Sequence, residues 1–479
     1  MFKRFLFFSS FFVLILFFTN APSIAQKSMA RPTVWDVYPT MNLSEIQAVV
    51  DSASNGDTIS FHAGTYDWSG ALTPIYDNYA NEGAIKIIDK TLTIKGARGN
   101  LIRGPDTTWD YNTTWGSNAF YIQDEDTNND VTFNGLNIEH FMRGIAAFSY
   151  NLSPHTANHN TRNVTVKNCS ISDIARYSIT VICSMGDILI ESNTVSQCTL
   201  GAISISYLDH PTDLWQPDDS KVNIRRNTIT GCPWMGMHVE MTKNFRIENN
   251  SIALSSPSEF TGHITGPGSG IYILGAQRGT VFSSNSISNY PIGISVDGKG
   301  AWGSPPALPA ENILIKRNKV SCLFYNECYG ISLAYDDSSG HTVTGNEINL
   351  TSEGAVGIYS ETNNNFFGKN KISGSGRIGF WLSGRTLNDI YPAYAHNESL
   401  NNNNLCGFTA SEAHYYLDSV TYDNSIIGSD MCPWTYKDYG TNNTIIGGTN
   451  ITSMTVQTLN PIPQKSGQDF REARKRIRF

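Results

Sequence analysis

Apolar residues in this chain recur at every second position in short runs, and the runs themselves recur. Ile188 and Ile190, Val222 and Ile224, Phe245 and Ile247, and Ile313 and Ile315 stand five and three residues ahead of an Asn. The Asn column reads Asn193, Asn227, Asn250, Asn285, Asn318, Asn346 and Asn370, with spacings of 34, 23, 35, 33, 28 and 24 residues. Behind most copies comes Gly-Ile-x-Val or a close variant: Gly236-Met-His-Val, Gly270-Ile-Tyr-Ile, Gly293-Ile-Ser-Val, Gly330-Ile-Ser-Leu and Gly379-Phe-Trp-Leu. Period-two alternation predicts strands with one buried face, and the runs are too short for helices. A repeat of this length marks a solenoid, an array or a propeller. The spacing is too variable for propeller blades, and three short strands with turns fit the minimal repeat. The pattern therefore predicts an all-β, right-handed, single-stranded parallel β-helix of three-strand coils, each strand pairing with its counterpart about 4.8 Å along the axis.

The Asn is expected in a turn, where it tolerates left-handed backbone and can bond to its neighbour on the next coil. Aligning Val164 and Val166 with the repeat puts Cys169 at the same position, and Val131 and Phe133 put Leu136 there. Downstream the column is expected to continue through Asn403, Asn424 and Asn443.

These phrases resemble the β-helix repeats of the pectin-lyase-like superfamily. Ile46-Gln-Ala-Val-Val-Asp-Ser-Ala, Gly56-Asp-Thr-Ile-Ser-Phe and Gly64-Thr-Tyr resemble its N-terminal opening, and Thr91-Leu-Thr-Ile-Lys-Gly its next strand. The likeness spans roughly residues 40–450. It implies the fold and a polysaccharide ligand. It does not choose an activity, because the superfamily holds lyases, hydrolases, epimerases, esterases and non-enzymes.

The amphipathic stretch 42–54 is the one expected helix. Ile46, Val49, Val50 and Ala53 share a face, and Ser44 and Gln47 offer a capping box. It suits a lid over the first coil, whose open edge would otherwise invite aggregation. Ahead of it, residues 1–25 read as an export signal: Lys3 and Arg4, an apolar run from Phe5, and Ser23-Ile-Ala25 before Gln26. The expected organisation is a signal at 1–25, a lead-in at 26–41, the β-helix domain at 42–455 and a flexible basic tail at 456–479. The mature chain is then secreted or periplasmic, without a membrane span, and monomeric.

Net charge is −8 and charged residues make up only 16% of the chain, which opposes a nucleic-acid partner. The eight Cys suit an oxidising compartment. Stacking brings Cys198 near Cys232, Cys322 and Cys328 can close a short loop, and Cys406 and Cys432 can tie the last coils. Clustered Met235, Met237, His238 and Met241 raise a copper site, but Met237 should point inward.

In Gly-Ile-x-Val the residue x and the residue after Val point outward. One outward row contains His238, Tyr272, Tyr359 and Trp381; its neighbour contains Glu240 and Asp297. In polysaccharide-active members of the superfamily this strand floors the substrate cleft. Glu240 and Asp297 lie two coils apart, about 9.6 Å by strand spacing, within reach of the separation used in inverting glycoside hydrolysis. The expectation is catalysis by Glu240, Asp297 and His238, with Tyr272, Tyr359, Trp381 and the loop residues Asp209, His210, Trp215 and Trp302 on substrate. A glycan hydrolase or lyase fits, with calcium as a possible cofactor for a lyase. The polygalacturonase phrases and the epimerase phrase Asp-Pro-His-Asp are absent. A non-catalytic carbohydrate-binding or accessory protein is the alternative.

Overall fold

The computed structural model describes residues 31–72, 83–105, 117–123, 130–148, 163–182, 186–206, 221–240, 243–255, 268–275, 279–298, 310–323, 327–334, 338–385, 393–428 and 432–452. The expected export signal and basic tail, Met241, and the predicted loop residues Asp209, His210, Trp215 and Trp302 lie outside these residues.

The chain winds into a right-handed parallel β-helix. Each coil has three faces. Face one stacks strands such as Ile188–Glu191 into a sheet of 15 strands. Face two stacks short strands such as Thr194–Cys198, and face three stacks the Gly-Ile-x-Val strands, such as Gly201–Ser206. Pairing between coils is parallel and in register: Ile188 meets Val222, and Ile190 meets Ile224. Inward side chains from all three faces merge into one apolar core along the axis. The leading Gly of Gly-Ile-x-Val has a steric cause. A Cβ on Gly236 would lie 2.4 Å from the Gly270 carbonyl oxygen and 2.4 Å from Ile252 Cγ2.

The Asn column is a buried ladder at the corner between faces one and two. Asn227 Oδ1 accepts from both the backbone N–H and Nδ2 of Asn193, each at 3.0 Å, and Asn193 Nδ2 also donates to the Val166 carbonyl at 2.9 Å. The motif repeats through Asn250, Asn285, Asn318, Asn346 and Asn370 to Asn403. Cys169 heads the column, donating its N–H to Asn193.

Two details differ from the sequence expectation. The left-handed residue is the one before each ladder Asn, not the Asn itself: Ser192, Arg226, Asn249, Ser284, Arg317, Lys369 and Asn402 have φ of 53–58°. That kink turns the following Asn side chain inward, where it can bond along the axis. Asn424 and Asn443 also leave the column. They join His341, Asn365 and Glu398 in a second ladder at the corner between faces three and one. These residues occupy the position five before the first ladder, held by apolar residues such as Ile188, Val222 and Ile313 in earlier coils.

The lid helix spans Leu43–Ser52 and buries Ile46 and Val50 against the first coils. Its capping box is formed by Asn42 and Glu45 rather than Ser44 and Gln47, because Asn42 is the residue that sits at the N-cap. Gln47 bonds both backbone groups of Lys86 instead, covering part of the edge of strand Gly83–Ile88. Lys90 Nζ donates to the carbonyls of Val50, Asp51 and Ala53 at the helix C-terminus.

Cys198–Cys232 and Cys406–Cys432 are disulfides with Cα separations of 4.7 and 5.4 Å. Cys322 and Cys328 are not: both are buried free thiols, and the Cys322 thiol turns to the Tyr290 carbonyl at 3.3 Å. Met237 is in the core while Met235 belongs to a separate apolar cluster, so these two members of the Met group do not share a site.

Candidate functional site

Face three positions the candidate residues. Its strands are six residues long over Gly201–Ser206, Met235–Glu240, Ser269–Leu274, Ile292–Asp297 and Tyr329–Ala334, and they stack without a register slip. Rigid stacking fixes the outward rows. Ser204, His238, Tyr272, Ser295 and Ser332 form one, and Ser206, Glu240, Leu274, Asp297 and Ala334 the other.

Within these rows His238 and Glu240 come together. His238 Nε2 lies 3.0 Å from Glu240 Oε1, while Ser206 Oγ donates to Glu240 Oε2 at 3.0 Å. The imidazole approaches the carboxylate off the angle of a directed hydrogen bond, so the contact is one of proximity. The His238 ring lies between Tyr177, centroids 6.2 Å apart, and Tyr272, centroids 5.4 Å apart. Asp297 accepts from Ser295 Oγ at 3.2 Å. Leu274 stands between Glu240 and Asp297 in the row, so the two carboxylates are not neighbours.

The rows were expected to be the open floor of a groove. They are instead buried: Glu240 is 1% exposed, His238 4% and Asp297 5%. Beside the rows lies a second apolar cluster outside the core, in which Tyr272 and Leu274 pack with Tyr177, Leu200, Trp234 and Met235. Sequence reasoning missed this cluster because its members come from several coils. Its signal was Trp234, two residues before Gly236, where the copies at Gly201, Gly270, Gly293 and Gly357 carry Thr199, Gly268, Pro291 and Ala355.

Towards the C-terminal end the same row becomes aromatic. Tyr359 stacks over Trp381 and Trp381 over Tyr416, edge to face, with centroids 5.2 and 6.0 Å apart. These rings are half-buried. Glu361 accepts from the Tyr359 hydroxyl. Asp418, which the sequence reading did not single out, accepts from Ser383 Oγ at 2.5 Å and Trp381 Nε1 at 3.2 Å. Burial raises its carboxyl above the usual aspartate range; those hydrogen bonds oppose the rise, and the charges of Glu361 and Glu412 add to it. Among the described residues, no group of three or more His, Cys, Asp or Glu is gathered to hold a metal ion. Among them, too, no helix is long and apolar enough to cross a membrane.

The repeat and the coil geometry define a class, and the comparisons agree with it. The family described as "Right handed beta helix region" matches residues 78–252, 155–300 and 269–450, and the chain belongs to that family. No curated protein matches it. Among solved structures, it is similar to the A-module of the Azotobacter vinelandii mannuronan C-5 epimerase AlgE6, at 14% identity, covering 87% of this chain and 97% of that one, with a TM-score of 0.47. It is also similar to the Yersinia enterocolitica family 28 exopolygalacturonase, at 12% identity, 86% and 78% coverage and a TM-score of 0.39. A third is the alginate lyase from Paenibacillus sp. str. FPU-7, at 15% identity, 67% and 99% coverage and a TM-score of 0.40.

Proposed function

We propose that this is a secreted, polysaccharide-active β-helix protein, a glycan hydrolase or lyase working over the outward side of face three. The observation that carries the reading is the close grouping of His238, Glu240 and Ser206 on a rigid outward row. A carboxylate fixed by a serine hydroxyl and placed against an imidazole is a unit that can hold and pass a proton. Asp297, two coils on, supplies the second carboxylate that glycoside hydrolysis employs. The superfamily resemblance supplies the substrate class, and the export signal at residues 1–25 supports an extracellular or periplasmic location.

Incubation with a panel of purified glycans tests it, reading new reducing ends together with the absorbance of unsaturated products. Reducing ends alone identify a hydrolase, and both signals identify a lyase. Turnover that survives Glu240→Gln combined with Asp297→Asn removes these residues from the chemistry. Mass spectrometry of the exported protein should find Gln26 at the N-terminus. The burial of both carboxylates, with Leu274 between them, favours a second reading, a carbohydrate-binding protein without turnover. Glycan binding with neither product signal selects it.

A further inference from the structure

Four coils beyond His238, about 19 Å along the axis by strand spacing, the outward row offers a different surface. We propose that the rings of Tyr359, Trp381 and Tyr416, with the half-buried carboxylate of Asp418, form a binding subsite for a neutral polysaccharide. The proposal rests on the reading of face three as a glycan surface and specifies what that surface accepts.

Three observations carry it. The rings occupy one column on three successive coils, so the sheet holds them at fixed spacing with little rotamer freedom left to lose. They are half-buried, unlike Tyr272 in the same row, which is wholly buried. Aromatic carbon beside water is a surface onto which the C–H groups of a sugar pack. The next outward row runs parallel to the rings and is polar, with Glu361, Ser383 and Asp418 beside them. Glu361 and Ser383 are buried and brace the row through the Tyr359 hydroxyl and Asp418, so sugar hydroxyls lying over the rings would meet the half-buried Asp418 on that side. Two coils separate Tyr359 from Tyr416, about 9.6 Å by strand spacing, a span that two linked sugar units can bridge.

The charges set the choice of sugar. Arg377 Nε lies 2.5 Å from one Glu412 oxygen and Lys437 Nζ 3.3 Å from the other, so one carboxylate takes up both cations. The two cations also back the strip, with Arg377 5.6 Å from the Trp381 ring centroid and Lys437 5.9 Å from that of Tyr416. Asp418 receives its hydrogen bonds from neutral groups and stands in the negative field of Glu361 and Glu412. A polyuronate laid along the strip would add further negative charge there, whereas a neutral chain adds none.

Titration calorimetry with the full chain tests this, using soluble β-glucan and xylan as neutral probes and alginate and polygalacturonate as charged ones. At least one neutral glycan should bind at least tenfold more tightly than either polyuronate. Trp381→Ala should weaken that binding at least tenfold, Trp381→Phe should retain most of it, and Asp418→Asn should narrow the gap to the polyuronates. Tyr359→Ala, on a neighbouring coil, gives the same test if Trp381→Ala does not fold, as judged by its melting curve. Binding or turnover of a neutral glycan that both alanine variants leave unchanged overturns the subsite but leaves the glycan reading intact. A polyuronate preferred over every neutral probe overturns the charge argument and with it the proposal. Neither binding nor turnover with any probe overturns the subsite and the proposed function together.

Discussion

Two corners of the same solenoid carry ladders built from different side chains. Between faces one and two, every position from Asn193 to Asn403 is an amide, which donates and accepts and therefore stacks on copies of itself without limit. Between faces three and one, the ladder begins only at His341 and mixes an imidazole, three amides and a carboxyl. Side chains other than an amide can serve if their protonation state supplies the missing capacity. Glu398 accepts from the backbone N–H and Nδ2 of Asn365, at 3.1 and 2.8 Å, in a fully buried position. Burial pushes its carboxyl up to about 8, against the bonds from Asn365 and Ser360, and pushes the His341 imidazole down to about 3. The first ladder is silent to pH; the second is not.

The largest effect expected is from breaking the uniform ladder. Asn250→Leu removes the acceptor of the Asn227 N–H and Nδ2 and the donor to the Ile224 carbonyl. Stranded buried groups cost about 1–3 kcal/mol each, so a loss of about 3 kcal/mol is expected in urea unfolding. A loss below 1 kcal/mol would mean that water reaches this corner.

The next effect separates the ladders by pH. Glu398 has a folded pKa above its ordinary 4.5, so the stability it contributes falls as pH rises from about 4.5 to about 8. His341 has a folded pKa below its ordinary 6.5, so stability falls as pH drops from about 6.5 to about 3. The two slopes oppose each other between about 4.5 and 6.5, leaving a plateau. Above it the loss runs at up to about 1.4 kcal/mol per pH unit, or roughly 2 kcal/mol by pH 8. Glu398→Gln, which can turn its carbonyl to Asn365 and its amide to Ser360, should flatten melting temperatures between pH 6.5 and 8. Hydrogen exchange at pH 8 should quicken in the coils around Glu398 and not in those around Asn193 to Asn285, since solenoid coils are stabilised mainly by their neighbours. An equal loss in the Gln variant would assign the slope to other groups.

The smallest effect concerns the left-handed residues before the ladders. Lys369 sits at φ 56°, where Gly345 and Gly340 occupy equivalent places at 65° and 71°. Lys369→Gly relieves a conformation that costs an L-residue about 1–2 kcal/mol, while Gly gives back part of this in unfolded-chain entropy. A net gain of up to about 1 kcal/mol in denaturant midpoint is expected, and a loss would place the side-chain contacts of Lys369 above its backbone strain.

The sequence alone determined the strands, their inward faces, the coil and the Asn ladder from Asn193 to Asn370. In a solenoid each residue stacks on its counterpart one repeat away, so the contacts that make the core are written as a period. The proximity of Cys198 to Cys232 was legible for the same reason, since both lie five residues beyond a ladder Asn. Tertiary structure decided what the period does not encode. Asn424 and Asn443 look like more of the same ladder, yet a shift of five positions carries them to another corner. Only the pairing of Ser399 with Ser425 and of Ser425 with Thr444 reveals it. Alternation told which side of the sheet His238, Glu240 and Asp297 face. It could not tell that Tyr177, Leu200, Trp234 and Met235 gather beside them, because those contacts join side chains from different coils and from outside the repeat. The same holds for Asp418, whose carboxyl acquires its character from Trp381, Ser383 and Glu361 on the two preceding coils. Side-chain direction is a local property of a strand, whereas burial and charge environment are sums over neighbours that only the folded chain brings together.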